Sequence, residues 1–306
     1  MLKKLFRKIR PNPLDSIIKK ATRKGDKKFL IAWNRGLGDI ALGLFAMIQR
    51  IRESIPDASI TFLTRENLQK GFLLLSNIQT IVVPYWERGK SYNALQTLRN
   101  LHIDPKEFDV IIENPDPTYW VKWQIAKVVP RLKWNEAWDG LYKKFDIPEN
   151  GICIAVQPYA ETDYGFWRNW PLEKWNELFS VIENQENVYI LLLGYGSEPV
   201  FSHSCIIDLR GKTNLFEMLS IIKNRCSFLI VPDSGILSMT YYLDVPFPIH
   251  ILSLWGDRSH GILKQRVSSP NPYLYHHPFI AKNRDLSTVQ VSDILSVLFP
   301  KMESRK

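Results

Sequence analysis

The chain has 306 residues, of which 45% are hydrophobic and 23% charged, a composition typical of a globular protein with room for two domains. No apolar run reaches the roughly eighteen residues of a membrane span, and the start lacks the apolar region and cleavage site of a secretory signal. The three cysteines have neither disulfide-framework nor metal-binding spacing. These features predict a cytoplasmic protein.

The net charge of +9 is concentrated in residues 1–28, which hold eleven Lys or Arg against Asp15 and Asp26. The rest of the chain is neutral overall, which argues against a uniformly basic nucleic-acid binder. Apolar residues recur at helical spacing among the first basic residues: Leu2, Leu5, Phe6 and Ile9. This pattern is typical of a helix on an anionic membrane surface. A solvated basic tail and an extra helix on the first domain are the alternatives.

Residues 29–52 read as a strand, a glycine turn and an amphipathic helix. Gly36 and Gly38 allow a sharp turn and the close approach of a ligand, and with Arg35 they form a candidate acceptor or phosphate loop. Asp39 stands at the helix start, where free N–H groups and the helix dipole can hold an anion or a working carboxylate. Because Asp is also a preferred N-cap, simple capping remains an alternative.

The same turn partly matches the dinucleotide-binding pattern GxGxxG. Its third glycine is replaced by Ala41, a substitution that the pattern tolerates. However, no acidic residue closes the next strand, which ends in Thr64 and Arg65. A nicotinamide-dependent enzyme is therefore disfavoured but stays open.

Strand-length apolar runs alternate with helical patterns through the first half of the chain. The strands are expected at 59–64, 80–85 and 108–114, and the helices at 66–75, 91–101 and 119–129. This alternation predicts a parallel sheet with helices on both faces. We assign a first, acceptor-side domain to residues 29–135 and a linker to residues 136–150.

The alternation resumes in a second domain over residues 151–285. Its strands are expected at 152–157, 188–194, 205–211, 228–233 and 248–254, and its helices at 172–184, 215–224 and 236–243. Residues 286–306 contain a last helix that is expected to pack back on the first domain. The predicted fold class is α/β, with two Rossmann-like doubly wound domains facing each other across a cleft that binds ligands.

Four loops at predicted strand ends of the second domain carry residues suited to a nucleotide. Arg168 precedes a helix opened by Pro171, where a cation and free N–H groups can face one phosphate. The other loops contribute glycines, a lysine and a hydroxyl: Gly194, Gly211, Lys212, Asp233, Ser234 and Gly235. Four such loops on one sheet predict nucleotide binding.

Five motifs in fixed order resemble the lipopolysaccharide heptosyltransferase family, which is glycosyltransferase family 9. They are RGLGD at 35–39, RNWP at 168–171, LLLGYGSE at 191–198, DLRGKTNL at 208–215 and VPDSGILSMTYYLDVP at 231–246. The resemblance implies a GT-B fold and inverting transfer from a nucleotide-sugar, ADP-heptose in the best-known members. It also implies that no metal or other cofactor is required. The implied acceptor is a lipopolysaccharide core or other glycan at the inner face of the cytoplasmic membrane.

The resemblance also assigns roles to individual positions. Asp39 matches the family's general base, and Arg168 matches the basic residue, usually Lys, that neutralises the departing phosphate. Asp233, Ser234 and Gly235 match the motif that holds the donor's sugar and diphosphate. The full set of donor-binding candidates is Gly194, Gly211, Lys212, Asp233, Ser234, Gly235 and Ser238.

Two motifs depart from the family pattern. The family's His-Pro-Gly after the first strand of the second domain is Gln157, Pro158 and Tyr159 here, and the histidine expected three residues after Asp-Ser-Gly is Ser238. Both lie on the donor side. They leave open a different donor, or a catalytically degenerate protein that binds a nucleotide or glycan without turnover.

Overall fold

The computed structural model describes residues 11–160, 166–196 and 198–300. The chain forms two compact units, with the boundary between Leu132 and Lys133. The amphipathic helix predicted over residues 2–9 lies outside the described residues. In the part of the chain that is described, no helix has the length and apolar character needed to cross a membrane.

The first unit contains a sheet of four parallel strands in the order β3-β2-β1-β4. Their bounds are β1 (Lys28–Trp33), β2 (Ser59–Thr64), β3 (Ile78–Val82) and β4 (Val110–Ile112). In β1 and β2 every residue after the first is buried, as expected for strands covered on both faces. The predicted parallel sheet is confirmed.

Four α-helices accompany this sheet: α1 (Pro13–Lys24), α2 (Phe45–Ser54), α3 (Gln69–Phe72) and α4 (Ala94–Asn100). Asn12 caps α1 by accepting a hydrogen bond from the Leu14 amide, and Gly25 ends it in a left-handed conformation. The helix predicted over residues 119–129 is wrong. Only a short turn, Lys122–Gln124, forms there, because Ala126 is left-handed and the Gln124 side chain bonds to the Leu42 carbonyl instead.

The second unit contains six parallel strands in the order β10-β9-β8-β5-β6-β7. Their bounds are β5 (Ile152–Val156), β6 (Val188–Leu192), β7 (Ile206–Asp208), β8 (Cys226–Pro232), β9 (Ile249–Trp255) and β10 (Leu274–Ile280). The edge strand β10 was not predicted. Its sequence, LYHHPFI, contains two histidines and a proline, residues that a sheet accepts at its edge but that break an apolar run.

Five α-helices pack on the second sheet: α5 (Leu172–Glu183), α6 (Leu215–Arg225), α7 (Gly235–Tyr241), α8 (Gly261–Gln265) and α9 (Val291–Leu298). The core is rich in large aromatic side chains, among them Trp170, Trp175 and Phe179. The expectation that the last helix packs on the first domain is wrong. Ile294 and Leu298 of α9 are buried with α5 in this same core, which accounts for the apolar face of the helix.

The predicted linker over residues 136–150 also needs correction. Residues Glu136–Lys144 form tight helical turns that pack on α6 within the second unit. Trp138 stacks on Phe216 with ring centroids 3.9 Å apart, and Asp139 accepts a hydrogen bond of 2.7 Å from the Lys223 ammonium. The polar and aromatic composition of this stretch therefore reflects a packed surface segment.

Candidate active site

In each sheet the strand order reverses once, and several of the predicted site residues follow the strands at that point. The reversal lies between β1 and β4 in the first unit and between β5 and β8 in the second. Open parallel sheets bind ligands beyond the carboxyl ends of the strands at such positions. Asp39 follows β1, whereas Gln157 follows β5 and Asp233 follows β8.

The loop after β1 is a tight turn closed by side-chain hydrogen bonds. The Trp33 indole N–H donates to the Gly36 carbonyl at 3.3 Å, and the Arg65 guanidinium donates to the Arg35 carbonyl at 3.1 Å. The Asp39 carboxylate lies over the turn, since a Cβ atom on Gly36 would stand 2.7 Å from its Oδ2. Glycine at position 36 thus makes room for the carboxylate.

Asp39 is half-buried and its side chain makes no capping hydrogen bond to the helix that follows. The next residues, Ile40–Leu44, form a π-helical turn before α2 begins, and such turns occur frequently at functional sites. The segment after β4 packs closely on this turn, because a Cβ atom on Gly43 would lie 2.2 Å from the Pro117 carbonyl oxygen. The simple capping alternative is therefore not what the structure shows.

A side-chain hydrogen bond joins the two strand ends at the reversal of the second sheet. The Ser234 hydroxyl donates to Gln157 Oε1 at 2.9 Å, and the Gln157 amide group donates to the Tyr159 carbonyl at 3.1 Å. Ser234 also caps α7 by accepting from the Leu237 amide at 3.3 Å. Gln157, one of the departures from the family pattern, thus fixes the Asp-Ser-Gly loop against β5.

Arg168 and Asp233 form an ion pair, with 3.4 Å between Nη2 and Oδ2. The Asp233 side chain is only 8% exposed, and this burial raises the pKa of its carboxyl above the ordinary value. The nearby Arg168 and His260 limit that rise. On its other side Asp233 is closely packed, because a Cβ atom on Gly261 would lie 2.3 Å from Oδ1. Asp233 is placed to hold the guanidinium.

Trp167 is the centre of a cluster of cationic side chains. The guanidinium carbon of Arg168 lies 5.0 Å from its ring centroid and that of Arg284 lies 5.9 Å away. The His260 ring is 5.3 Å away. A Cβ atom on Gly256 would stand 2.6 Å from the Trp167 ring, so the loop after β9 supports the indole directly.

The loop after β9 also contributes to this site, although no sequence motif predicted it. It supplies His260, Gly261 and Asp257, and the Asp257 carboxylate forms an ion pair with Arg284. The pKa of Asp257 is lowered to about 2, first by hydrogen bonds from Ser259 and then by Arg284. The glycine and aspartate directly after a predicted strand were the available signal.

The two glycine loops predicted on the donor side do come together. The Gly211 amide donates to the Gly194 carbonyl at 2.8 Å, and both glycines have positive φ angles, +69° and +124°. Gly194 also packs near Gln157, since its Cβ atom would lie 3.6 Å from the Gln157 Cγ. The Lys212 ammonium donates to the Asp208 carbonyl at 2.7 Å, which ties down its own loop.

The donor-binding role predicted for Ser238 requires correction. Ser238 is 1% exposed, and its hydroxyl donates to the Ser234 carbonyl one turn earlier at 3.2 Å. A buried hydroxyl already committed to its own helix stabilises α7. Gly235 is the first residue of that helix. Among the described residues, no group of three or more His, Cys, Asp or Glu side chains is arranged to hold a metal ion.

Comparison with known proteins places this geometry in a structural context. No family model matches the chain, and no curated protein matches it either. Among solved structures, E. coli ADP-heptose LPS heptosyltransferase II is 13% identical with a TM-score of 0.64, covering 89% of this chain and 97% of its own. A family 9 glycosyl transferase from Veillonella parvula DSM 2008 is 14% identical, with a TM-score of 0.56 and coverages of 89% and 96%.

The chain has the fold of these transferases. E. coli heptosyltransferase WaaC, solved with ADP, agrees at 13% identity, a TM-score of 0.52 and coverages of 89% and 99%. The prediction of a GT-B fold with two parallel α/β domains is therefore confirmed.

Proposed function

We propose that this protein is an inverting glycosyltransferase that moves a sugar from a nucleotide-sugar donor to a glycan acceptor. The observation that carries the proposal is the placement of Asp39 and of the Arg168–Asp233 pair at the strand-order reversals of a heptosyltransferase-like fold. An inverting transfer requires a general base for the acceptor hydroxyl and a group that stabilises the charge on the leaving diphosphate.

Asp39 acts as the general base in this mechanism. Its carboxylate takes the proton of an acceptor hydroxyl while that oxygen bonds to the anomeric carbon of the donor sugar. The bond between this carbon and the diphosphate oxygen breaks on the opposite face, so the anomeric configuration inverts. The partial exposure of Asp39 and its place over the Gly36 turn support this role.

Arg168 compensates the charge that develops on the departing diphosphate. A preorganised cation in a site with little water stabilises such charge in the transition state. Asp233 and the Trp167 ring hold the guanidinium in place, so little reorganisation is needed when the bond breaks. The mechanism proposed here does not require a metal.

ADP-heptose or a related nucleotide-sugar is the proposed donor. The support is the fold shared with proteins whose names specify ADP-heptose or ADP. The loops with Gly194, Gly211 and Ser234 follow β6, β7 and β8 at the same edge of the sheet, where a nucleotide can approach the backbone. The Gln157–Ser234 hydrogen bond distinguishes this donor side from the family pattern. The donor's sugar or base is therefore where we expect this protein to differ from the family.

The proposed acceptor is a lipopolysaccharide core or another glycan at the inner face of the cytoplasmic membrane. The basic segment over residues 1–28 supports peripheral attachment to that surface. The protein would then be cytoplasmic and bound reversibly to the membrane.

A ligand screen followed by product analysis tests the proposal. Thermal unfolding is measured with ADP-, GDP-, UDP- and CDP-sugars and with NAD, and a ligand at one hundred times its Kd should stabilise the protein by about 2.7 kcal/mol. The preferred sugar nucleotide is then incubated with and without saccharide acceptors, and NMR reports the anomeric configuration of the product. Stabilisation by NAD alone would contradict the proposal. Sugar-nucleotide binding with neither hydrolysis nor transfer would identify a degenerate binding protein.

A further inference from the structure

The exposed side of α1 carries a cluster of positive charge without local compensation. Lys19, Lys20, Arg23 and Lys24 are all exposed on its last two turns. None of the four makes an ion pair with another residue in the described parts of the chain. Since the sequence beyond residue 28 is neutral overall, this cluster is a local feature of the helix.

The apolar side of α1 is already occupied. Leu14, Ile18 and Ala21 are buried, and the helix packs on α2. A helix that enters a membrane interface must offer its apolar face to the lipid. In this fold α1 can therefore contribute charge to a membrane contact, but it has no apolar face left to insert.

An open groove of about 480 Å³ runs between α1 and α2 on one flank of the charged cluster. Lys19, Thr22 and Arg23 line it from α1, and Arg50 and Ser54 line it from α2. Lys20 and Lys24 do not line it, although they belong to the same turns. Asp15 and Ile18 also line the groove, and the Thr22 hydroxyl already donates to the Ile18 carbonyl at 3.0 Å. The groove thus combines three cations and the Ser54 hydroxyl, which suit phosphate oxygens, with one carboxylate.

Arg50 lines this groove and is bonded to neighbouring side chains. Its guanidinium bonds to Asp15 at 3.1 Å and to Glu53 at 3.3 Å, and it lies 5.5 Å from the Trp123 ring centroid. These carboxylates offset the charge of Arg50. Lys19 and Arg23 are consequently the residues that attract an anion, while Arg50 and the Ser54 hydroxyl shape the site.

We propose that this groove docks the phosphate headgroups of anionic phospholipids and fixes the orientation of the protein on the membrane. Lys19 and Arg23 make no ion pair among the described residues, both line the groove, and α1 packs on α2 in the unit that carries Asp39. The inference rests on the proposed function, in which Asp39 acts on a membrane-bound acceptor. The π-helical turn after Asp39 leads directly into α2, which forms one side of the groove. Its test requires no turnover.

Sedimentation of the full chain with vesicles tests the groove. The vesicles contain either phosphatidylcholine alone or phosphatidylcholine with phosphatidylglycerol, at low and high salt. The Lys19→Gln/Arg23→Gln variant removes the groove cations, and Lys20→Gln/Lys24→Gln removes two neighbouring charges outside it. All four side chains are exposed, so thermal unfolding should confirm that both variants fold.

The full chain should bind only the anionic vesicles, and high salt should weaken that binding. At about 1 kcal/mol per basic residue near the surface, loss of the groove pair should lower the partition constant roughly thirtyfold. The control pair should have an effect several times smaller. If the two variants lower binding equally, the groove is not the site of lipid binding. If the full chain does not bind anionic vesicles at all, the proposal that this surface docks on the membrane is refuted. Tighter binding to an unstructured RNA than to the vesicles would also overturn the proposal.

Discussion

The two strand-order reversals are built in different ways although both lie at the carboxyl edge of a parallel sheet. In the first unit a single carboxylate, Asp39, lies over a glycine turn and in front of a π-helical turn. In the second unit a network of side chains, including Trp167, Arg168 and Asp233, surrounds the strand ends. In the first unit the glycine at position 36 leaves room for the carboxylate, whereas in the second unit an ion pair and ring contacts hold the guanidinium.

This difference predicts different responses to substitution. Because Asp39→Asn keeps the size of the side chain over the turn, loss of the Asp39 charge should act mainly on the chemical step. A group within a network supports its partners, so its loss should affect donor binding and stability as well. Substitutions in the first unit should therefore lower kcat, whereas substitutions in the second unit should also lower donor affinity and stability.

The largest effect is expected for Asp39→Asn. General-base catalysis contributes a factor of about 10² to 10⁴, so kcat should fall by that factor while donor affinity stays within twofold. Steady-state kinetics and calorimetric titration with the sugar nucleotide measure the two quantities. Asp26→Asn, in the loop after α1, is the matched control and should have little effect on either. Equal losses in both variants, or unchanged turnover of Asp39→Asn, would refute the assignment of the base.

Arg168→Gln should cause the second-largest loss of activity, and it should lower ligand affinity as well as kcat. Removing one preorganised group that stabilises developing charge costs about 10² to 10³ in kcat, and here affinity for the nucleoside diphosphate product should fall too. Arg168→Lys should retain part of the kcat and part of the product affinity, because lysine keeps the charge but loses the planar contact with Trp167. Arg99→Gln on α4 is the control. If Arg168→Gln lowers kcat alone, the predicted difference between substitutions in the two units is wrong.

Gly36→Ala tests whether the backbone places Asp39. The added Cβ atom would lie 2.7 Å from Oδ2, so the carboxylate must move. Misplacement by about 1 Å can cost up to roughly 10² in rate, and we expect a loss of ten- to a hundredfold in kcat with unchanged donor affinity. Gly140→Ala meets nothing within 4 Å and should be neutral. Turnover equal to that of the Gly140 variant would show that the turn does not position the base.

Much of the fold was predictable because buried parallel strands appear in a sequence as apolar runs. The runs at β1, β2, β5 and β8 identified their strands directly. Edge strand β10 escaped because its exposed positions tolerate Tyr, His and Pro. The end helix α9 was recognised, but its packing partner was not, since an apolar face does not specify which surface covers it.

A motif and a strand end coincide at Asp39, Arg168 and Ser234, and the roles of these residues stay predictions. Sequence spacing did not reveal that Gln157 and Ser234 are hydrogen-bonded across the sheet, nor that Gly256 and Gly261 make room for Trp167 and Asp233. These contacts join residues far apart in the chain. Ser238 illustrates the opposite error, because a polar residue in a motif can face its own helix.

The smallest expected effect concerns the stability of the Arg168–Asp233 pair. Because the folded-state pKa of Asp233 is raised, its contribution favours folding below the unfolded-state pKa of about 3.9 and declines as the pH rises through the folded value. Removing Arg168 takes away a group that limits the rise, so Arg168→Gln should destabilise the protein more at pH 7 than at pH 4.

Denaturant unfolding at the two pH values measures this loss, and Asp233→Asn supplies the second arm of a double-mutant cycle. Asparagine is neutral and nearly isosteric with aspartate, so the Arg168→Gln/Asp233→Asn variant should show no extra loss at pH 7. The same cycle on the exposed pair Lys90–Glu87 should give a coupling energy near zero at both pH values. If the Arg168→Gln penalty is independent of pH, or survives in the double variant, the buried carboxylate is not what holds the guanidinium. The side-chain network would then depend on Trp167 and the loop after β9, and the second unit would resemble the first in relying on packing around a single charged group.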